Sequence, residues 1–199
     1  MSDTGLHAAA STGDIAGIRR ALAAGSDVDA RDGAGRTPVM TATAARQTEA
    51  VRVLLEAGAD VDIRDDRLDN PFLYAGAEGL LDILRLANEA GADPAITNRF
   101  GGVAVIPASE RGHVEVVRYL LAETDVDVDH VNNLGWTALL EAVILGSGGP
   151  AHQEIVRMLL DAGADPELAD RDGVTPVAHA RARGQAEVAA ILVDGGAER

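Results

Sequence analysis

Apolar residues in this chain come in short bursts separated by polar, glycine-punctuated turns. Between Glu49 and Ala57, the residues Val51, Leu54 and Leu55 fall at i, i+3 and i+4, one face of an α-helix. Gly58 ends that helix. Ahead of it, Thr37 is suited to N-cap another helix, with Pro38 at the first helical position, where a missing N–H costs nothing. This first helix runs to about Ala45. The polar stretch that starts at Asp60 connects to the next pair. Isolated helices shorter than roughly 12–15 residues are marginal in water. These helices are shorter still, so they must be held by stacking on neighbours.

The pattern repeats. Thr37-Pro38, Asn70-Pro71, Val103-Ala104, Thr137-Ala138 and Thr175-Pro176 follow one another at steps of 33, 33, 34 and 38 residues. Thr4-Gly5-Leu6-His7 lies one step before Thr37. Gly25-Ser26-Asp27, Gly58-Ala59-Asp60 and Gly91-Ala92-Asp93 keep the 33-residue step, and Gly163-Ala164-Asp165 closes the fifth unit. These markers resemble the ankyrin repeat, whose 33-residue unit carries T-P-L-H and a G-A-D turn. The resemblance covers almost the whole chain. It implies an all-α ankyrin-repeat solenoid of paired short antiparallel helices with hairpin-like loops. The expected organisation is a single domain over 1–199, with six repeats at about 1–30, 31–63, 64–96, 97–130, 131–169 and 170–199. Within the family, the segments NPFLYAGAEG (70–79), TNRFGG (97–102), ASERGHVE (108–115) and GWTALLEAVILGSGGPAHQEIV (136–156) are similar to a bacterial subset.

Some units depart from the pattern. Leu68 stands where a turn glycine is expected, and Asn70 replaces the capping Thr. Pro107 is tolerable only in a first helical turn, where N–H groups lack intrahelical partners. The extra residues Leu145–Pro150 should project as a loop. The first and last units should act as caps, with Arg19 and Arg20 on a solvated face.

Composition narrows the chemistry. All 17 basic residues are arginine, against 32 acidic ones, for a net charge of −15. Such a chain is a poor partner for nucleic-acid phosphates and for anionic membranes. The absence of lysine excludes a P-loop lysine and a Schiff base; the absence of cysteine excludes disulfides and thiolate chemistry. The N-terminal MSDTGLHAAASTGD lacks the basic and apolar regions of a secretion signal. The most apolar stretches, such as Trp136–Leu145, are about half the length that crosses a bilayer. A cytoplasmic, monomeric protein is expected.

Candidate chemistry is sparse. His7 matches the T-P-L-H histidine and His113 the G-H that opens a second helix, both structural positions in the family. No metal role is assigned to His152 or His179, and no cofactor is expected. Gly33–Gly35 and Gly146–Gly149 lack the P-loop context. DVDVDH (125–130) lacks the glycine and distal glutamate of a calcium loop. The recurring aspartates are expected to bond nearby backbone N–H groups in turns.

The resemblance implies partner binding at the loop tips and on the exposed face of the first helices. Matched position by position, this selects Arg67, Tyr74, Arg99, Phe100, Glu110, Arg111, Trp136 and Glu141 as partner-binding candidates. Aromatic residues and arginine are enriched in binding hot spots. Glu110 and Glu141 are expected to form salt bridges with Arg99 or Arg111. The function expected is a non-catalytic protein–protein interaction module with a protein partner, favoured to be basic by electrostatics. Two alternatives stay open: a small-ligand binder or enzyme using a Glu110/Glu141/Trp136 pocket, and self-assembly through the weakly polar last repeat.

Overall fold

Helix starts follow the Thr-Pro rhythm. In the computed structural model, which describes residues 4–198, twelve α-helices form six consecutive pairs. The first pair is α1 (Thr4–Thr12) and α2 (Ile15–Ala23), the second α3 (Pro38–Ala44) and α4 (Thr48–Glu56), the third α5 (Pro71–Glu78) and α6 (Leu81–Glu89). Then come α7 (Val105–Glu110) with α8 (Val114–Glu123), α9 (Ala138–Ile144) with α10 (Pro150–Asp161), and α11 (Pro176–Ala182) with α12 (Ala186–Asp194). Residues 1–3 and 199, at the outer ends of the first and last expected repeats, lie outside the described residues.

The chain divides into two compact units, residues 1–75 with 80–99, and residues 76–79 with 100–199. In the first unit, α1 packs on α3, and α4 packs on both α2 and α6. In the second, α9 lies against both α7 and α11, and α10 against both α8 and α12. Each unit thus has a row of first helices and a row of second helices. The core between them is small and aliphatic. Ile18, Val51, Leu54 and Leu84 are sealed in the first unit, and Val117, Leu120, Val143, Val156, Leu159 and Leu192 in the second.

The local chemistry explains the element boundaries. The hydroxyls of Thr37 and Thr137 accept from the backbone N–H of Met40 and Leu140, at 3.3 and 3.2 Å, and cap α3 and α9. Asn70 does the same with its side-chain oxygen, 2.8 Å from the Leu73 N–H, but its buried Nδ2 has no partner. Pro107 is the third residue of α7, inside the first turn, where its missing N–H is harmless. Leu68 takes the left-handed conformation of the glycine it replaces, with φ +61°. The turn aspartates work across repeats as well as within them. The Asp29 carboxylate accepts from the Asp60 N–H and that of Asp62 from the Asp93 N–H, at 2.9 and 3.1 Å. Asp129 takes the Asp165 N–H at 3.0 Å.

The insertion in the fifth pair differs from expectation. Pro150 is not part of a projecting loop but the first residue of α10, which runs 12 residues against nine in α4 and α6. Part of the insertion therefore lengthens a helix, because Pro is pre-organised for a first helical position. His152, in that added turn, is buried and bonds the Glu110 carbonyl at 2.9 Å through Nε2, while its Nδ1 meets the Ser147 hydroxyl at 3.2 Å.

Candidate functional site

The candidate residues fall into two sets, one in each compact unit. In the first unit, Arg67 sits on the 65–69 hairpin. The Asp65 carboxylate shapes that hairpin by accepting the N–H groups of Arg67 and Asp69, at 2.8 and 3.0 Å. The exposed Arg67 and Arg99 both approach the half-buried Asp69 carboxylate, at 3.9 and 3.6 Å. Tyr74 lies half-buried on α5, in the third turn-to-helix register.

The second unit contains Phe100, Glu110, Arg111, Trp136 and Glu141. Phe100 and Leu134 occupy equivalent positions near the tips of successive hairpins and are 52% and 50% exposed. The two hairpins are tied by the Asn133 N–H, which donates to the Phe100 carbonyl at 2.8 Å. Arg111 donates to the Glu78 carboxylate at 2.6 Å and to the Ala77 carbonyl at 2.8 Å. The expected ion pairs between Arg99 or Arg111 and the Glu110/Glu141 carboxylates are thus replaced by Arg99–Asp69 and Arg111–Glu78. Each arginine meets an acid near its own reach along the neighbouring first helix or hairpin.

Asn132, outside the expected set, organises the centre. Its Oδ1 accepts the backbone N–H groups of Leu134 and Trp136, at 2.9 and 3.1 Å, and these two bonds orient its Nδ2 toward Glu141 Oε1 at 2.7 Å. Trp136 is half-buried, Asn132 is buried, and Glu141 is only 6% exposed. Burial pushes the Glu141 carboxyl up to about 7, and the neighbouring Glu110 charge adds to the effect; the Asn132 amide opposes both. The signal for Asn132 was present in its register. It stands where Asp32, Asp65 and Asp170 stand in other repeats, and in the sixth the corresponding partners are Asp170 and His179, 2.7 Å apart. Backbone N–H groups, foremost that of Val174, and the His179 imidazole hold the Asp170 carboxyl below its ordinary value.

The remaining histidines serve the frame. His7 bridges the Thr41 hydroxyl at 3.0 Å and the Ala30 carbonyl at 2.9 Å, His113 meets the Ala77 carbonyl at 3.2 Å, and His130 meets the Gly101 carbonyl at 2.7 Å. Surface cavities lie away from these residues: one of about 300 Å³ is lined by Arg157, Leu160 and Ile191 among others, one of about 230 Å³ by Arg52, Leu55 and Leu86, and two of about 360 Å³ lie along α1 and α2 and beside α12. No helix among the described residues is long and apolar enough to cross a membrane.

Comparison with known proteins agrees with the repeat pattern. The family described as ankyrin repeats (3 copies) matches residues 1–65 and 72–170. An Escherichia coli (strain K12) ankyrin repeat protein, YahD, is 42% identical over 189 residues, covering 95% of this chain and 94% of that one. The crystal structure of an ankyrin repeat domain from Acinetobacter baumannii AYE is 53% identical, covers 99% of this chain and 100% of its own, and superimposes with a TM-score of 0.96. The ankyrin repeat domain of Bcl-3, a member of the IkappaB protein family, is 25% identical, with a TM-score of 0.87 over 98% of this chain and 86% of its own.

Proposed function

The chain belongs to the ankyrin-repeat family, and on that premise we propose that it is a non-catalytic module that holds a partner protein on its hairpin tips and exposed first-helix surfaces. Ankyrin repeats serve in general as protein–protein interaction modules and binding scaffolds. The observation that carries the reading is the pair Phe100 and Leu134, large apolar side chains half-exposed at equivalent hairpin positions. A folded chain gains nothing in stability from presenting such surface to water, whereas an interface gains from burying it. Trp136, on the same hairpin as Leu134, extends this surface, with the half-buried Glu110 on α7 as a further candidate. In the first unit, Arg67, Tyr74 and Arg99 form the corresponding set. The excess of acidic residues favours a basic partner by steering and by rejecting acidic competitors.

The test is affinity capture from native lysate with the wild type and a Phe100→Ala/Trp136→Ala variant of unchanged helicity. The expected outcome is a protein retained by the wild type and lost by the variant. Identical retention by both would overturn the assignment of this surface.

A further inference from the structure

Gln47, His113, His152 and Gln185 occupy one register of the repeat, each two places before a glutamate. The last three reach back with a side-chain N–H to the first helix of the preceding repeat. His113 bonds the Ala77 carbonyl through Nε2 at 3.2 Å, His152 the Glu110 carbonyl through Nε2 at 2.9 Å, and Gln185 donates from Nε2 to the Val143 carbonyl at 3.2 Å. That bond fixes the His152 tautomer. A carbonyl oxygen only accepts, so the neutral imidazole keeps its proton on Nε2 and leaves Nδ1 as a bare acceptor. After His113 and Gln185 the helix begins at the next residue. In the fifth repeat the inserted segment instead lays Ser147 against the free nitrogen, with Oγ 3.2 Å from Nδ1. The frame bond therefore accounts for His152 but not for Ser147, since His113 and Gln185 make it from helix starts that carry no such insertion.

The pair is held in position and open to solvent. Ser147 is exposed, while the His152 that serves it is only 9% exposed. The Ser147 oxygen accepts the Gly149 N–H at 3.2 Å, which leaves its own O–H to donate to Nδ1. Backbone closes on the imidazole at two glycines. A Cβ on Gly146 would collide with the ring's Cδ2 and with the Ala142 carbonyl, and one on Gly112 would crowd Cε1 at 3.2 Å. A hydroxyl within the roughly 2.6–3.2 Å reach of a base, with that base oriented by a third group, is the arrangement of an activated nucleophile. Here the third group is the Glu110 carbonyl.

The geometry points to Ser147 as a nucleophile that takes an acyl group from an activated ester, with His152 as its general base. Ser147 Oγ attacks the acyl carbon while Nδ1 of His152 receives the hydroxyl proton. The bond from the acyl carbon to the leaving oxygen then breaks, and the alcohol or phenol departs with the proton from Nδ1. An O-acyl serine remains, and no electron is gained or lost. Acyl transfer is favoured over phosphoryl transfer because a phosphoryl group draws on cations around its oxygens, and segment 145–150 holds no basic residue. Leu145, 48% exposed two residues before Ser147, favours an apolar acyl chain. The acidic surface of the chain disfavours an anionic one. One acyl group per chain is a covalent mark. It stands beside the partner-binding reading and does not rest on it.

The experiment incubates the full chain with p-nitrophenyl hexanoate and follows p-nitrophenol release, the intact mass and the acylated peptide. The chain has no lysine or cysteine to compete for the reagent. Ser11, whose hydroxyl donates to the Ala8 carbonyl rather than to a histidine, serves as the control within the same molecule. The expected result is an acyl group on Ser147 that forms at least about tenfold faster than on Ser11. Ser147→Ala, on an exposed loop, should abolish it. His152→Gln removes the base and keeps a donor for the Glu110 carbonyl, as Gln185 does for Val143. With helicity and urea midpoint checked, it should slow acylation of Ser147 by about a hundredfold, the low end of general-base contributions. Equal rates on Ser147 and Ser11, an unchanged rate in His152→Gln, or p-nitrophenol release that persists in Ser147→Ala would each overturn the inference.

Discussion

Replacing Glu141 by glutamine should stabilise the protein at neutral and alkaline pH and have little effect in acid. The side chain is 6% exposed, and its carboxyl is raised from 4.5 to about 7 by burial and by Glu110. Below pH 4.5 the group is neutral in both folded and unfolded chains. Between 4.5 and 7 the unfolded chain gives up its proton while the folded one keeps it, so stability falls as pH rises through that window. Above 7 both are ionised and the whole penalty is present. At 1.36 kcal/mol per pH unit, the penalty amounts to about 3 kcal/mol. That is a large share of the roughly 5–15 kcal/mol that holds a domain together. Glutamine keeps an oxygen for the Asn132 amide and never ionises. Any packing difference it introduces is independent of pH and cancels when pH values are compared. The assay is urea denaturation from pH 4.5 to 8, followed by Trp136 fluorescence. Repeat arrays can unfold unit by unit, and Trp136 reports on the fifth pair. The variant's advantage over the wild type should grow by about 3 kcal/mol across the range. A constant difference, within about 0.5 kcal/mol, would refute the claim that Glu141 is buried against a like charge.

Other consequences are smaller. Leu68→Gly should raise stability by about 1 kcal/mol, because leucine pays about 1–2 kcal/mol in the left-handed region while glycine's extra unfolded-state entropy returns part of the gain; an unchanged urea midpoint would mean that the hairpin relaxes the strain. Asn70→Thr keeps the cap seen at Thr37 and Thr137 and removes a buried amide nitrogen without a partner, for an expected gain of about 1 kcal/mol, read from the same denaturation curves. Light scattering across a concentration series should return a constant mass near 20.5 kDa; a mass that climbs with concentration would favour association through the last repeat.

Local rules made the repeat legible from sequence alone. A Thr-Pro cap, a positive-φ turn and an i, i+3, i+4 apolar face each depend on residues within one turn of one another. That is why the helix starts at Pro38 and Pro176 could be read directly, while for Pro107 only the condition could be read, a first helical turn, which α7 meets. Even the left-handed Leu68 was marked by the glycine register it interrupts. The insertion was visible too, but not its whole fate: Pro150 suits a first helical position, and the added turn is also tied by His152 to the Glu110 carbonyl 42 residues away. The same holds for charge. Composition supplied an acidic chain and an arginine for every other acid or so. Only stacking decided that Arg99 would meet Asp69 and that Arg111 would meet Glu78, leaving Glu141 with the Asn132 amide of its own repeat. A carboxylate's environment is set by the solvent it loses and the charges that surround it. Both are properties of neighbouring repeats in space, which no window along the chain contains.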